Sequence, residues 1–377
     1  MPIEIMVLLL ISVVGIAGSI VLMVCNSVLS RRGVFAGGEP EEELDDEAIS
    51  AEATFDAPAH DATAMDIAAE AAVLSPESQT REIKFTPLGQ EPETVAVEAE
   101  EPVTAAPLRL VKPEEKNENC TTVGNIALSI GNAQDIGMRA QQQDAFAITP
   151  LEEELVVARH GVMAVVCDGM GGMENGAEAA NTGAIQFMRA YLAADEVDNQ
   201  TLVDAVYRAN SAVYQEFQGK TGAIAGTTLV AASVLPDGLR FVSVGDSHIY
   251  LFRKNKLYQL NRDHNYFSEL LEEVKAGRMT MEEAQRHPER AHLTSFVGLE
   301  KLELVDYNIA PVPLRVGDRI LLCTDGLFKT LSLAEMTQIF AQTKGWDVQD
   351  ELLRAVKAKA KRKQDNVTLV VLYCDAV

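Results

Sequence analysis

The stretch Val165-Val166-Cys167-Asp168-Gly169-Met170-Gly171-Gly172 constrains this chain more than any other. An apolar run of strand character ends there in a carboxylate, and three glycines fall within the next four positions. An acidic group at the mouth of a buried strand is costly unless a cation offsets its desolvation, and a metal ion is the commonest such cation. The glycines let backbone carbonyls approach the same ion and turn the chain sharply. Residues 175–192 then read as a helix, so the layout is strand, acidic glycine turn, helix. Asp-Gly by itself is an ordinary turn signal. Here the pattern recurs: the apolar run 319–323 leads into Asp325-Gly326, Asp365 stands just before the strand-like 367–374, and the segment from Gly137 through Arg139 ends on Asp144. Four acidic groups at strand ends within one domain point to a shared site.

Asp and Glu number 56 against 32 Lys and Arg, a formal net charge of −24. That balance disfavours nucleic acid as a partner, because phosphate backbones are bound through surplus Lys and Arg. The five cysteines show no paired ligand spacing, and three of them lie in apolar strand-like runs. They read as reduced core residues of a cytosolic domain.

Residues 5–29 are almost wholly apolar, with no charge between Glu4 and Arg31, enough to cross a bilayer as a helix of roughly 20 residues. A secretory signal is disfavoured because no Lys or Arg precedes the run, while Arg31 and Arg32 follow it. The positive-inside rule then places everything after Arg32 in the cytoplasm, so residues 1–32 are expected to be a single-pass membrane anchor. Residues 33–120 are rich in Glu, Asp, Ala, Pro and Thr with few aromatics, and are expected to be a disordered acidic linker.

Residues 121–377 have globular composition and a length that suits one domain. Strand patterns fall at 121–130, 145–149, 161–167, 227–235, 239–244, 248–253, 302–309, 319–323 and 367–374. Helical periodicity falls at 176–192, 200–218, 332–342 and 348–363. Strands and helical pairs are segregated, which predicts an α+β fold of two antiparallel sheets with helices on their outer faces. Residues 263–291 form an insertion of helical character, either a substrate lid or a packing appendage.

Carboxylates without a His or Cys cluster select a hard divalent ion, Mn2+ or Mg2+. Several converging carboxylates favour two ions sharing Asp168. Such a pair lowers the pKa of a bridging water and stabilises in-line displacement at phosphorus. Arg139 is the cation best placed to grip phosphate, since a guanidinium presents a planar donor fork.

The ordered set Arg139 to Asp144, Asp168-Gly169-Met170-Gly171-Gly172, Gly226-Thr227-Thr228-Leu229, Gly245-Asp246-Ser247, Asp263-His264, Thr324-Asp325-Gly326-Leu327 and Asp365-Asn366-Val367-Thr368 resembles the metal-dependent Ser/Thr protein phosphatases of type 2C in their bacterial form. The resemblance implies a four-layer α-β-β-α sandwich with a dinuclear Mn2+ or Mg2+ centre at one end of the sheets. By motif position it makes Asp144, Asp168, Asp325 and Asp365 metal ligands, with the Gly169 carbonyl, and Arg139 the phosphate-binding residue. It makes Asp246 a ligand of a possible third ion, and 263–291 the flap. The implied substrates are phosphorylated Ser/Thr proteins of a cognate kinase pathway. The alternative is a catalytically weak or silent phosphoprotein-binding module of the same fold. The chain departs from the family pattern at Gln142, at His248, at Met170 and at Phe328-Lys329, where Lys329 is expected to disfavour a third cation.

Overall fold

The computed structural model describes Thr80–Glu82 and residues 120–376, apart from 152, 171–173 and 219–224. All of them lie in the unit His60–Val377. The expected membrane helix over 1–32 and most of the expected linker fall outside the described residues. Among the described residues no helix is long and apolar enough to cross a membrane.

Thirteen strands and eight helices follow in the described residues: β1 Thr80–Glu82, β2 Cys120–Val123, β3 Ile126–Asp135, β4 Asp144–Ile148, α1 Glu154–His160, β5 Val162–Met170, α2 Glu174–Leu192, α3 Asn199–Glu216, β6 Gly226–Thr227, β7 Leu229–Leu235, β8 Gly238–Val244, β9 His248–Arg253, β10 Lys256–Gln259, α4 Tyr266–Lys275, α5 Met281–Gln285, β11 Asp306–Asn308, β12 Arg319–Cys323, α6 Asp325–Phe328, α7 Leu333–Gln342, α8 Val348–Ala358 and β13 Val367–Ala376. One sheet has the order β1-β11-β8-β7-β5-β4, with β6 pairing β5; the other has the order β10-β9-β12-β13-β3-β2. The strand pairs within both are antiparallel.

The continuous apolar strands exist because both faces of each sheet are covered. Along β5, Val162, Ala164 and Val166 enter the core between the sheets, while Met163, Val165 and Cys167 pack against α2 and α3. Along β13, Val370, Leu372 and Cys374 enter the same central core, and Leu369, Val371 and Tyr373 face α7 and α8. Three apolar layers therefore separate four layers of secondary structure. The helices present matching stripes: α3 buries Leu202, Val206, Ala209 and Val213 behind a capping box of Asp198 and Thr201, and α8 buries Val348, Leu352 and Val356 at four-residue spacing.

Several expected elements are corrected. The run 121–130 is a hairpin, because Gly124 takes φ +59° and turns β2 into β3. The expected strand 227–235 breaks into β6 and β7, and 302–309 shrinks to β11. The expected helix 348–363 stops at Ala358, and Ala360 takes φ +49°. Within the span expected to be the linker, Thr80–Glu82 pair with β11 in the register Thr80↔Asn308, Arg81↔Tyr307 and Glu82↔Asp306. An exposed sheet edge offers unpaired backbone groups to any extended segment, whatever its side chains.

Candidate metal centre

Antiparallel pairing collects the acidic residues at one end of the sandwich. β4 starts where β5 ends, so Asp144 and Asp168 stand directly opposite one another in register. Like charges in that position repel, and the pair needs a cationic reason to exist. In the other sheet Cys323 pairs with Leu369, so Asp325, just past β12, and Asp365, just before β13, lie at a common end. Polar side chains tie the two sheet ends together. The Thr324 hydroxyl donates to Asp144 Oδ2 at 2.9 Å, Gln134 Nε2 donates to Thr368 Oγ1 at 2.8 Å and to the Asp144 carbonyl at 3.2 Å, and the Gln143 amide donates to Asn366 Oδ1 at 2.8 Å.

The turn after Asp168 is equally fixed. The Asp168 amide donates to Thr228 Oγ1 at 3.0 Å, the Thr228 amide donates back to the Asp168 carbonyl at 2.9 Å, and Thr228 Oγ1 shares a hydrogen bond of 2.7 Å with Ser247. The Gly169 amide donates to the Gln143 carbonyl at 3.1 Å, and a Cβ on Gly169 would land on the Gly176 carbonyl of α2. Only glycine lets β5 and α2 approach this closely. Thr227, whose hydroxyl donates to the Asp168 carbonyl at 2.9 Å, joins Thr228 and Ser247 in holding the Asp168 turn.

The electrostatics are those of crowded anions. Burial pushes the Asp144 carboxyl up to about 7, against the opposing effect of the nearby Thr368 and Thr324 hydroxyls, with Asp325 and Asp365 adding to the rise. Asp168 is raised well above the usual carboxylate range, first by burial and then by Asp144, Asp325, Asp246 and Asp365. Asp246 is raised to about 6 by burial, with Lys329 opposing and Asp325 and Asp263 reinforcing. Among the described residues, two cations pair directly with these carboxylates: Arg139 Nη2 lies 2.5 Å from Asp365 Oδ2, and Lys329 Nζ lies 2.5 Å from Asp325 Oδ2. Burial works against the Lys329 ammonium, yet Asp325, Asp246 and Asp168 hold its pKa above the ordinary value.

All the sequence-predicted residues are therefore brought to one end, with Asp246 on the Lys329 side of the group. Among the described residues no three His, Cys, Asp or Glu side chains already close into a metal cage. Asp325 and Asp365 are instead turned onto Lys329 and Arg139. The donor set still fits a hard divalent ion: it is all oxygen, and Asp144 Oδ1 is buried with no hydrogen-bond partner among the described residues. A buried carboxylate oxygen without a donor, surrounded by other carboxylates, calls for a cation.

His248, Thr324, Gln143 and Asn366 fall in or beside the motifs, but the sequence assigns them no role in the site. His248 stacks on Phe328 with ring centroids 3.6 Å apart, its Nδ1 meets the Tyr250 hydroxyl at 2.6 Å, and Asp263 Oδ1 lies 2.9 Å from its Nε2, off the line of a hydrogen bond. It connects the start of the 263–291 insertion to the underside of α6.

A carboxylate-lined end of two packed sheets, with a guanidinium at its rim, fits the class of metal-dependent hydrolases of phosphate esters. The family model described as Protein phosphatase 2C matches residues 135–361, and this chain belongs to that family. It is 30% identical over 220 residues to a Listeria monocytogenes (serotype 4b, strain F2365) protein named serine/threonine phosphatase stp, covering 56% of this chain and 84% of that one. The S. agalactiae serine/threonine phosphatase structure superposes with a TM-score of 0.56 at 25% identity, covering 65% of this chain and 99% of that one. The catalytic domain of the serine threonine protein phosphatase PstP, solved in complex with two manganese ions, superposes with a TM-score of 0.53 at 26% identity, covering 66% of this chain and 99% of that one. The cofactor class read from the carboxylates, Mn2+ or Mg2+, agrees with that relative.

Proposed function

We propose that the chain is a membrane-anchored Ser/Thr phosphoprotein phosphatase that requires Mn2+ or Mg2+ and acts at the cytoplasmic face on the products of a cognate Ser/Thr kinase. The observation that carries this is the meeting of Asp144, Asp168, Asp325 and Asp365 at one sheet end, with Asp144 Oδ1 buried and unpartnered. These four carboxylates and the Gly169 carbonyl would hold the ions. When bound, a pair of such ions supplies a water acidified for attack at phosphorus and charge stabilisation for the displaced oxygen.

The protein's own part is orientation. Thr324 holds one face of Asp144, Thr228 and Gln143 fix the Asp168-Gly169 turn, and Arg139, with its side chain 55% exposed, exchanges Asp365 for the phosphate oxygens. The fork of Arg139 thereby orients the ester against the carboxylate end.

Hydrolysis of p-nitrophenyl phosphate and of a phosphothreonine peptide should depend on Mn2+ and disappear in Asp168→Ala or with chelator. A manganese-loaded, folded protein that binds phosphopeptide but turns over neither substrate would leave the silent binding module as the better reading. Cell fractionation addresses the anchor: the full chain should sediment with membranes, and a chain starting at residue 33 should not.

A further inference from the structure

In a chain with net charge −24, five of the seven residues 357–363 are Lys or Arg, and all seven positions are exposed. α8 ends at Ala358 and Ala360 turns the backbone, so Lys361, Arg362 and Lys363 leave the helix and run to the carboxylate end. The arrival point is pinned on three sides by Gln364: its Nε2 donates to the Gly326 carbonyl at 3.0 Å, its Oε1 accepts from Thr330 at 2.9 Å, and its carbonyl accepts from the Met138 amide at 2.8 Å. Asp365, the partner of Arg139, comes next. Lys363 is two residues from Asp365, so their Cα atoms are within about 7.6 Å of each other.

Two cations of the run are neutralised locally, Lys357 by Asp135 and Lys359 by Glu335, each at 2.5 Å. The other three are not. Lys361 Nζ donates to the Lys329 carbonyl at 2.5 Å, and neither Arg362 nor Lys363 has a carboxylate partner among the described residues. With Arg139 they make a cationic lip on an otherwise acidic molecule. We infer that Lys361, Arg362 and Lys363 form a docking surface for acidic residues that flank the phosphorylated Ser or Thr of the substrate. An extended peptide rises about 3.3 Å per residue, so side chains two to four positions from the phosphate reach this lip while Arg139 holds the phosphate. Against the net negative charge of the chain, a cluster of cations beside the phosphate-binding Arg139 gives such a peptide a place to land and a favoured orientation.

The inference rests on the phosphatase reading, and the test separates the two. Matched phosphothreonine peptides with acidic or neutral flanks, placed on either side of the phosphate, are compared in the full-length chain by kcat/KM at low and high salt. The same peptides are followed by fluorescence anisotropy with chelator present. The wild-type chain should prefer an acidic flank by about tenfold at low salt, and the preference should shrink as salt rises. In the double variant Arg362→Glu, Lys363→Glu the preference should vanish or invert. Turnover with no preference in the wild type, or a preference that survives charge reversal, would overturn the lip. A preference seen in anisotropy with no hydrolysis of any substrate, p-nitrophenyl phosphate included, would sustain the lip and remove the phosphatase reading alone.

Discussion

Asp144 carries the clearest signature of a cation site, because one of its oxygens accepts from Thr324 and the other accepts from no described donor. Replacing Thr324 with Val keeps the shape but frees Asp144 Oδ2. Loss of such an outer partner should weaken Mn2+ binding by about 10- to 100-fold, read by calorimetric titration, while the fold stays intact. The same carboxylate makes the metal-free protein sensitive to pH. Its folded pKa of about 7 lies above the ordinary carboxylate value of 3.8, so between those limits the folded state holds more protons than the unfolded state. Stability without metal should therefore fall as pH rises from about 4 to about 7 and lose no more from this group above that. Thermal melts in chelator at pH 5 and pH 8 check it: the decline should be smaller in Asp144→Asn, and added Mn2+ should oppose it at the higher pH. The acidic residues were legible in the sequence because a carboxylate ending an apolar run is out of place. Thr324, Gln143 and Asn366 were not, since a neutral polar residue has no distinguishing mark until its partner from another strand is known.

Helix α6 is a single turn, and its two ends serve different purposes. Asp325 opens it, and Lys329 closes it one turn later with its ammonium on Asp325. A divalent ion seeking Asp325 has to displace that ammonium. Lys329→Met should lower the Mn2+ concentration at half-saturation by up to about fivefold, a modest change because the Lys329 side chain is 56% exposed and such pairs are weak. No change in metal titration would mean that Lys329 swings away at no cost. Within the same turn Gly326 lies against the Asn366 carbonyl, where a Cβ would collide. Gly326→Ala should destabilise the fold by about 1–3 kcal/mol in urea unfolding, through displacement of the β13 entry. Long periodic elements such as α3 and β13 could be read from the chain, because each buries a stripe or a whole run. The end of α8 could not: Lys359, Lys361 and Lys363 are good helix formers, and the helix ends because Gln364 is bonded to Gly326 and Met138.

At the scale of the molecule, alternation along β5 and β13 explains why the two-sheet arrangement was readable: each continuous apolar strand serves two cores at once. β1 was unreadable for the opposite reason. Thr80, Arg81 and Glu82 have no apolar side chain among them, and their pairing with β11 rests on backbone groups. That pairing gives the segment ahead of the sandwich a structural role, because without it β11 becomes the outermost strand of its sheet. A chain beginning at residue 120 should still fold, since all three apolar layers lie within residues 123–374. Its amides at 306–308 should exchange faster than in the full chain, while those of β7 and β5 keep their protection. A bare edge also invites another copy, so the shortened chain should show concentration-dependent self-association that a proline at Tyr307 suppresses. Equal exchange at 306–308 in the two chains would mean that β1 does not hold its place in solution, and sedimentation velocity would then show no difference between them.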